Sequence, residues 1–122
     1  MRLMRNPGAT HIDFYQLKGL IESNPNACPC NVDMMFERNC KFLVGEWKRL
    51  NEGMSLGQEI LLKNLAKQSQ FIVLIIHGDT DKETNVTKFE LIDKNGEYIP
   101  IGYTFDQLKN FITGWYNWAN AQ

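Results

Sequence analysis

The sequence predicts an α/β protein in which a mixed β-sheet is flanked by helices. Three features carry that expectation. Phe71-Ile72-Val73-Leu74-Ile75-Ile76 is continuously apolar and rich in branched residues, as in a strand covered on both faces. Segments of helical period stand before and after it. Turn-forming residues cut the remaining apolar stretches to strand length. The predicted order is α-β-β-α-β-β-β-α.

Each element has its own signal. From Asp13 to Ser23, Phe14, Leu17, Leu20 and Ile21 recur at three- and four-residue steps and predict a short first helix. Residues 24–31 hold two prolines and two further asparagines beyond them, and predict a loop. Val32 to Phe36 and Lys41 to Trp47 predict two strands of a hairpin, with Glu37-Arg38-Asn39 as its turn. After a polar loop from Leu50 to Met54, Ser55 and Gln58 have the spacing of a capping box. The helix they open runs to about Ser69, with Ile60, Leu61, Leu62, Leu65 and Ala66 as its buried face. His77-Gly78-Asp79-Thr80-Asp81 predicts a polar loop. Val86 to Ile92 and Tyr98 to Tyr103 predict a second hairpin around Asp93-Lys94-Asn95-Gly96. Pro100 has no N–H to give and belongs at an edge or a bulge. Thr104 and Gln107 repeat the capping-box spacing. Phe105, Leu108, Phe111, Ile112, Trp115 and Trp118 then line a terminal helix.

The totals bound the function classes. With 122 residues, 43% of them hydrophobic and 22% charged, the chain suits one domain with its own core. Residues 1–12 form an N-terminal segment expected to be flexible. No apolar run approaches the ~20 residues of a membrane span, and Met1 to Pro7 lacks the apolar stretch of a secretory signal. Three cysteines, an odd number, argue against a disulfide framework. A soluble intracellular protein is expected. A net charge of −1 speaks against a passive DNA-coating protein. It leaves room for an enzyme on DNA, since local charge matters more than the total.

The chemistry concentrates in the first hairpin. Asp33 interrupts an apolar strand, and Glu46 and Lys48 close the next one. With Arg38-Asn39 as the turn centre, Asp33 faces Val44, and strand alternation brings Glu46 and Lys48 to the same side. Two carboxylates and an ammonium so gathered are costly to bury without compensation. A divalent ion between the carboxylates supplies it, and magnesium typically takes one or two carboxylates with water and phosphate oxygens. Such an ion polarises a phosphodiester and acidifies water, while Lys48 stabilises the negative charge of the transition state. The bland reading is an edge-strand ion pair on a solvated face.

An Asp, a hairpin and then Glu-x-Lys resembles the signature of PD-(D/E)XK nucleases. The stretch from Asp33 to Ile76 is similar to the small virus-type replication-repair nuclease and Holliday-junction-resolvase-like branches. There a short loop, a helix opening in Ser-x-x-Gln and an apolar strand follow. This chain has Glu46-Trp47-Lys48-Arg49, Ser55-Leu56-Gly57-Gln58 and Phe71 to Ile76 in that order. Val32 stands where the family name has proline. The resemblance implies a restriction-endonuclease-like core and a magnesium-dependent DNA endonuclease, with manganese as a substitute and branched DNA among its substrates. Asp33, Glu46 and the Trp47 main-chain carbonyl would bind the metal, with Glu22 as a further acidic ligand. Lys48 would be the catalytic lysine, supported by Gln58. Arg49, Lys63 and Lys67 are the candidate DNA contacts. It also implies the cytoplasm of a bacterial or phage-infected cell.

Other readings stay open at this level. Gln58 serves equally as half of a capping box. Cys28, Cys30, Cys40 and His77 would be the ligands of a zinc site, although a single Cys-x-Cys lacks paired spacing. Trp115, Tyr116 and Trp118 cannot all face one core at helical spacing, so at least one ring is expected outward, at a homodimer contact or stacked on bases. A nuclease-like fold that binds without cutting, or a small phage or plasmid inhibitor protein, are the alternatives from other classes.

Overall fold

The computed structural model describes residues 15–27 and 29–122. The chain divides into two compact units, residues 1–31 and 32–122.

In the first unit the predicted helix is not formed. A single 3-10 turn, Tyr15–Leu17, is followed by further turns; Asp13 and Phe14 lie outside the described residues. Gly19 takes φ +88, a left-handed conformation that stops a right-handed helix before Leu20 and Ile21 can extend its stripe. Leu17, Leu20, Ile21, Ala27 and Pro29 instead surround a shallow apolar hollow.

The second unit holds a five-stranded mixed sheet and two helices, in the order β1 (Met34–Arg38), β2 (Lys41–Lys48), α1 (Leu56–Ala66), β3 (Phe71–Asp79), β4 (Asn85–Ile92), β5 (Tyr98–Gly102) and α2 (Phe105–Asn120). Strand order follows chain order from β1 to β5. The β2–β3 pair is parallel, with α1 as its crossover, and the other pairs are antiparallel. The α/β class and mixed sheet are as expected, while the element order differs by the missing first helix.

The first hairpin turns at Asn39 and Cys40, whose φ values of +52 and +63 belong to a two-residue turn matched to strand twist. The Asn39 Nδ2 donates to the Ala119 carbonyl at 3.0 Å, tying the turn to the end of α2. This places Met35 opposite Val44, where Asp33 was expected, and moves the pairing by two residues. A two-residue shift keeps every side chain on its expected face.

Alternation divides the core between the two faces. Val44, Val73, Ile75 and Ile92 pack with Leu62 and Ala66 of α1. Leu43, Leu74, Ile76 and Phe89 pack with Leu108, Trp115 and Ala119 of α2. Each such aliphatic side chain contributes roughly 1.5–3 kcal/mol on burial. In α1 the buried stripe is narrower than predicted: Leu62 and Ala66 are buried, Leu61 and Leu65 partly so, and Ile60 is exposed. In α2 Trp115 turns inward while Tyr116 and Trp118 face outward.

β3 is longer than the sequence predicted. It continues through His77, Gly78 and Asp79, expected as loop, because a register shift between His77 and Gly78 lets β4 keep pairing with it. A Cβ on Gly78 would fall inside the Asn85 carbonyl. Gly78→Ala is therefore expected to lower the unfolding free energy by about 2–3 kcal/mol, read from the urea midpoint.

Candidate active site

β2 brings three polar residues to the end of the sheet. Glu46 and Lys48, on the α1 face, are 4% and 5% exposed and are the buried charged residues of the described core. Trp47 between them points to the α2 side. Asp33 immediately precedes β1 and is solvent-exposed. Since Met34 pairs with Gly45, one step further along the hairpin brings Asp33 level with Glu46. The two carboxyl groups are hydrogen-bonded to each other.

That contact sets the electrostatics. Burial raises the Glu46 carboxyl first, and the Asp33 charge and hydrogen bond raise it further, to about 7 from an ordinary 4.5. Lys48 and the hydrogen bond from Gln58 oppose the shift without cancelling it. The Asp33 Oδ2 also accepts from the Trp47 N–H at 2.9 Å, a donor that β1 ends too early to pair. In an extended strand the N–H and C=O of one residue point the same way, so the Trp47 carbonyl faces the Asp33 side as well.

Gln58 ties helix to sheet. Its Nε2 donates to Glu46 Oε2 at 2.5 Å, and its Oε1 accepts from Lys48 Nζ at 2.7 Å. Lys48 Nζ lies 3.7 Å from Glu46 Oε2 and 4.0 Å from Glu52 Oε2. Only half of the expected capping box forms: Ser55 Oγ accepts from the Gln58 N–H, while the Gln58 side chain turns to the site. At α2 the same spacing gives the full reciprocal box, Thr104 with Gln107. The difference is the pair of charged partners that β2 offers Gln58.

The other sequence candidates are more dispersed. Arg49 forks onto Asp81 through two 2.6 Å bonds. Lys63 lies 3.8 Å from Glu59 and over the Tyr98 ring. Lys67 caps the far end of α1. Glu22 belongs to the first unit, exposed in a turn. Cys30 and Cys40 are free and exposed, and Cys28 lies outside the described residues. Among the described residues no three His, Cys, Asp or Glu side chains cluster as a metal cage.

One pairing went unread in the sequence. His77 Nε2 meets Glu90 Oε1 at 2.8 Å, joining β3 to β4. Thirteen residues separate them, and only the antiparallel register brings them together. A cleft of about 410 Å³ opens beside them, bordered by Arg49, Glu52, His77, Thr87 and Lys88.

Compared with protein-family models, curated proteins and solved structures, the chain matches none.

Proposed function

We propose that the chain is a magnesium-dependent nuclease of the PD-(D/E)XK type that hydrolyses the phosphodiester bonds of DNA. The observation that carries this reading is the Glu46 carboxyl, buried against a second carboxyl and held beside an ammonium by a bridging glutamine. Two carboxylates pressed together repel when both are ionised, and a divalent ion relieves that repulsion. The donor set suits magnesium, which uses few protein carboxylates and keeps places for water and phosphate.

Asp33, Glu46 and the Trp47 carbonyl would hold the ion. When bound, it supplies Lewis acidity toward the phosphodiester and lowers the pKa of water. The protein's share is orientation and charge. Asp33 stays fixed by the Trp47 N–H, Glu46 by Gln58. Lys48, whose Nζ is held by Gln58, presents its ammonium to the negative charge that builds on the phosphate. The exposed Asp33 leaves the pair open to a strand arriving from solvent.

Gln58 separates this reading from a solvated ion pair. Gln58→Ala is expected to slow cleavage 10–100-fold, as for a residue that orients a metal ligand. Ser55→Ala removes only the helix cap, costing about 1 kcal/mol of stability with little change in rate. Equal rates for both variants would show that Gln58 serves only the helix. Cleavage assays with magnesium or manganese on labelled junctions, flaps, nicked, single-stranded and duplex DNA test the function itself. No cut in any of these would refute it.

Paired cuts need two sites related by symmetry, and a homodimer is the expected assembly. Trp118, 47% exposed, walls an apolar hollow of about 450 Å³ with Ile72 and Phe111 on the outer side of α2. Sedimentation at micromolar concentration should show a species near twice the 14.2 kDa chain mass. A monomer that cuts both strands would contradict this.

A further inference from the structure

The sheet face that carries Glu46 changes chemistry one step further out. In the Glu46 row the partners on β3 and β4 are Ile75 and Glu90; in the next row they are Lys48, His77 and Lys88. Three nitrogen-bearing side chains thus stand side by side on adjacent strands, about 4.8 Å apart. Each end of the row is anchored by a carboxylate from the row beneath. Glu46 lies under Lys48. Glu90, with its side chain 13% exposed, takes His77 at 2.8 Å through Oε1 and Lys88 at 3.8 Å through Oε2.

This arrangement fixes the row without neutralising its outer side. With Nε2 turned to Glu90, His77 keeps Nδ1 for another partner, and the protonated ring donates from it. Lys88, its side chain 41% exposed, keeps ammonium protons that Glu90 does not take. The bulge after His77 falls where strands commonly re-aim side chains beside active sites. His77 and Lys88 both border the 410 Å³ cleft. Glu52 and Asp79 border it too, so the cleft is no diffuse positive patch. Its fit is to a single anionic strand laid along the row.

We propose that His77 and Lys88 hold the phosphate next to the scissile one, so that the cut strand crosses the sheet from Asp33 and Glu46, over Lys48, toward β4. The inference rests on the nuclease reading of Asp33, Glu46 and Lys48. Lys48 and Lys88 are two strand spacings apart, about 10 Å, which assigns them to different phosphates. His77 and Lys88 act in binding and positioning, outside the bond-breaking step.

The test compares wild type, Lys88→Ala, Lys88→Arg and His77→Ala. Binding to labelled DNA is measured in calcium across a salt series, and cleavage in magnesium. Lys88→Ala should raise Kd and KM about 5–10-fold, leave kcat within about twofold, and reduce the salt slope by about one. Lys88→Arg should restore all three, and His77→Ala should shift Kd and KM in the same direction. A neutral methylphosphonate in place of the neighbouring phosphate, tried on each side of the mapped cut, should weaken wild type on one side and leave Lys88→Ala unaffected there. If wild type cuts DNA while Lys88→Ala and His77→Ala match its Kd, KM and salt slope, the strand does not run along this row and the nuclease reading stands. If wild type neither binds nor cuts DNA, both fall together.

Discussion

Asp33→Ala and Glu46→Ala are each expected to lower cleavage at least ~1,000-fold, the scale on which a preorganised electrostatic site acts, while the fold survives. Each variant removes one of two carboxyl groups that press on each other, so neither breaks a favourable pair. Asp33 is exposed and Glu46 lies at the end of β2, beyond the Val44 and Val73 core. Removing either carboxylate relieves repulsion and takes away half of the divalent-ion site. Losses from Asp33→Ala and Glu46→Ala should not add, because the two residues act as one unit. Circular dichroism and melting separate lost chemistry from lost fold. Undiminished cleavage by either purified variant would refute the site assignment.

Metal-free protein should lose stability as pH rises, which is unusual for a carboxyl-bearing site. Glu46 has a folded pKa of about 7 against an ordinary 4.5, so between these values the native state binds more protons than the unfolded chain. Stability then falls as pH climbs through that window and levels off above about 8. Below the ordinary value both states are protonated and the penalty vanishes. The full effect is on the order of 3 kcal/mol. Glu46→Gln should abolish this dependence and be more stable than wild type at pH 8 without metal. Magnesium must displace the Glu46 proton to bind, so it should raise the melting temperature more at pH 8 than at pH 6. Cleavage should rise with pH through about 7 for the same reason. Calcium should stabilise without supporting turnover. A melting temperature that rises from pH 5 to pH 8 in EDTA would contradict the assigned environment of Glu46.

Much of this site is legible in the sequence because strand alternation has a period of two. The turn was expected at Arg38-Asn39 and lies at Asn39-Cys40, and the pairing moved by two residues. Asp33, Glu46 and Lys48 nonetheless stay on one face, and the corrected register brings Asp33 level with Glu46. Gln58 was legible only as an ambiguity, since Ser-x-x-Gln describes a capping box equally well. Its resolution needs the positions of Glu46 and Lys48, supplied by a strand ten residues away. The first helix failed where Gly19 adopts a positive φ, a backbone choice that apolar spacing does not report. His77 to Asp79 looked like loop because polar residues and glycine weaken a strand signal. A bulge and a parallel neighbour keep that segment in the sheet. The His77–Glu90 pair depends on register between β3 and β4, and no local pattern encodes it.

The claim at the centre of this account is that the Asp33–Glu46 pair cuts DNA through a divalent ion. The most direct measurement is metal add-back: wild type and Glu46→Ala are stripped with EDTA, and magnesium is returned to each over labelled DNA. The account predicts no cutting by either in EDTA, cleavage by wild type that returns with millimolar magnesium, and none by Glu46→Ala at any concentration. Cleavage that persists in EDTA, or that Glu46→Ala recovers with magnesium, would contradict it.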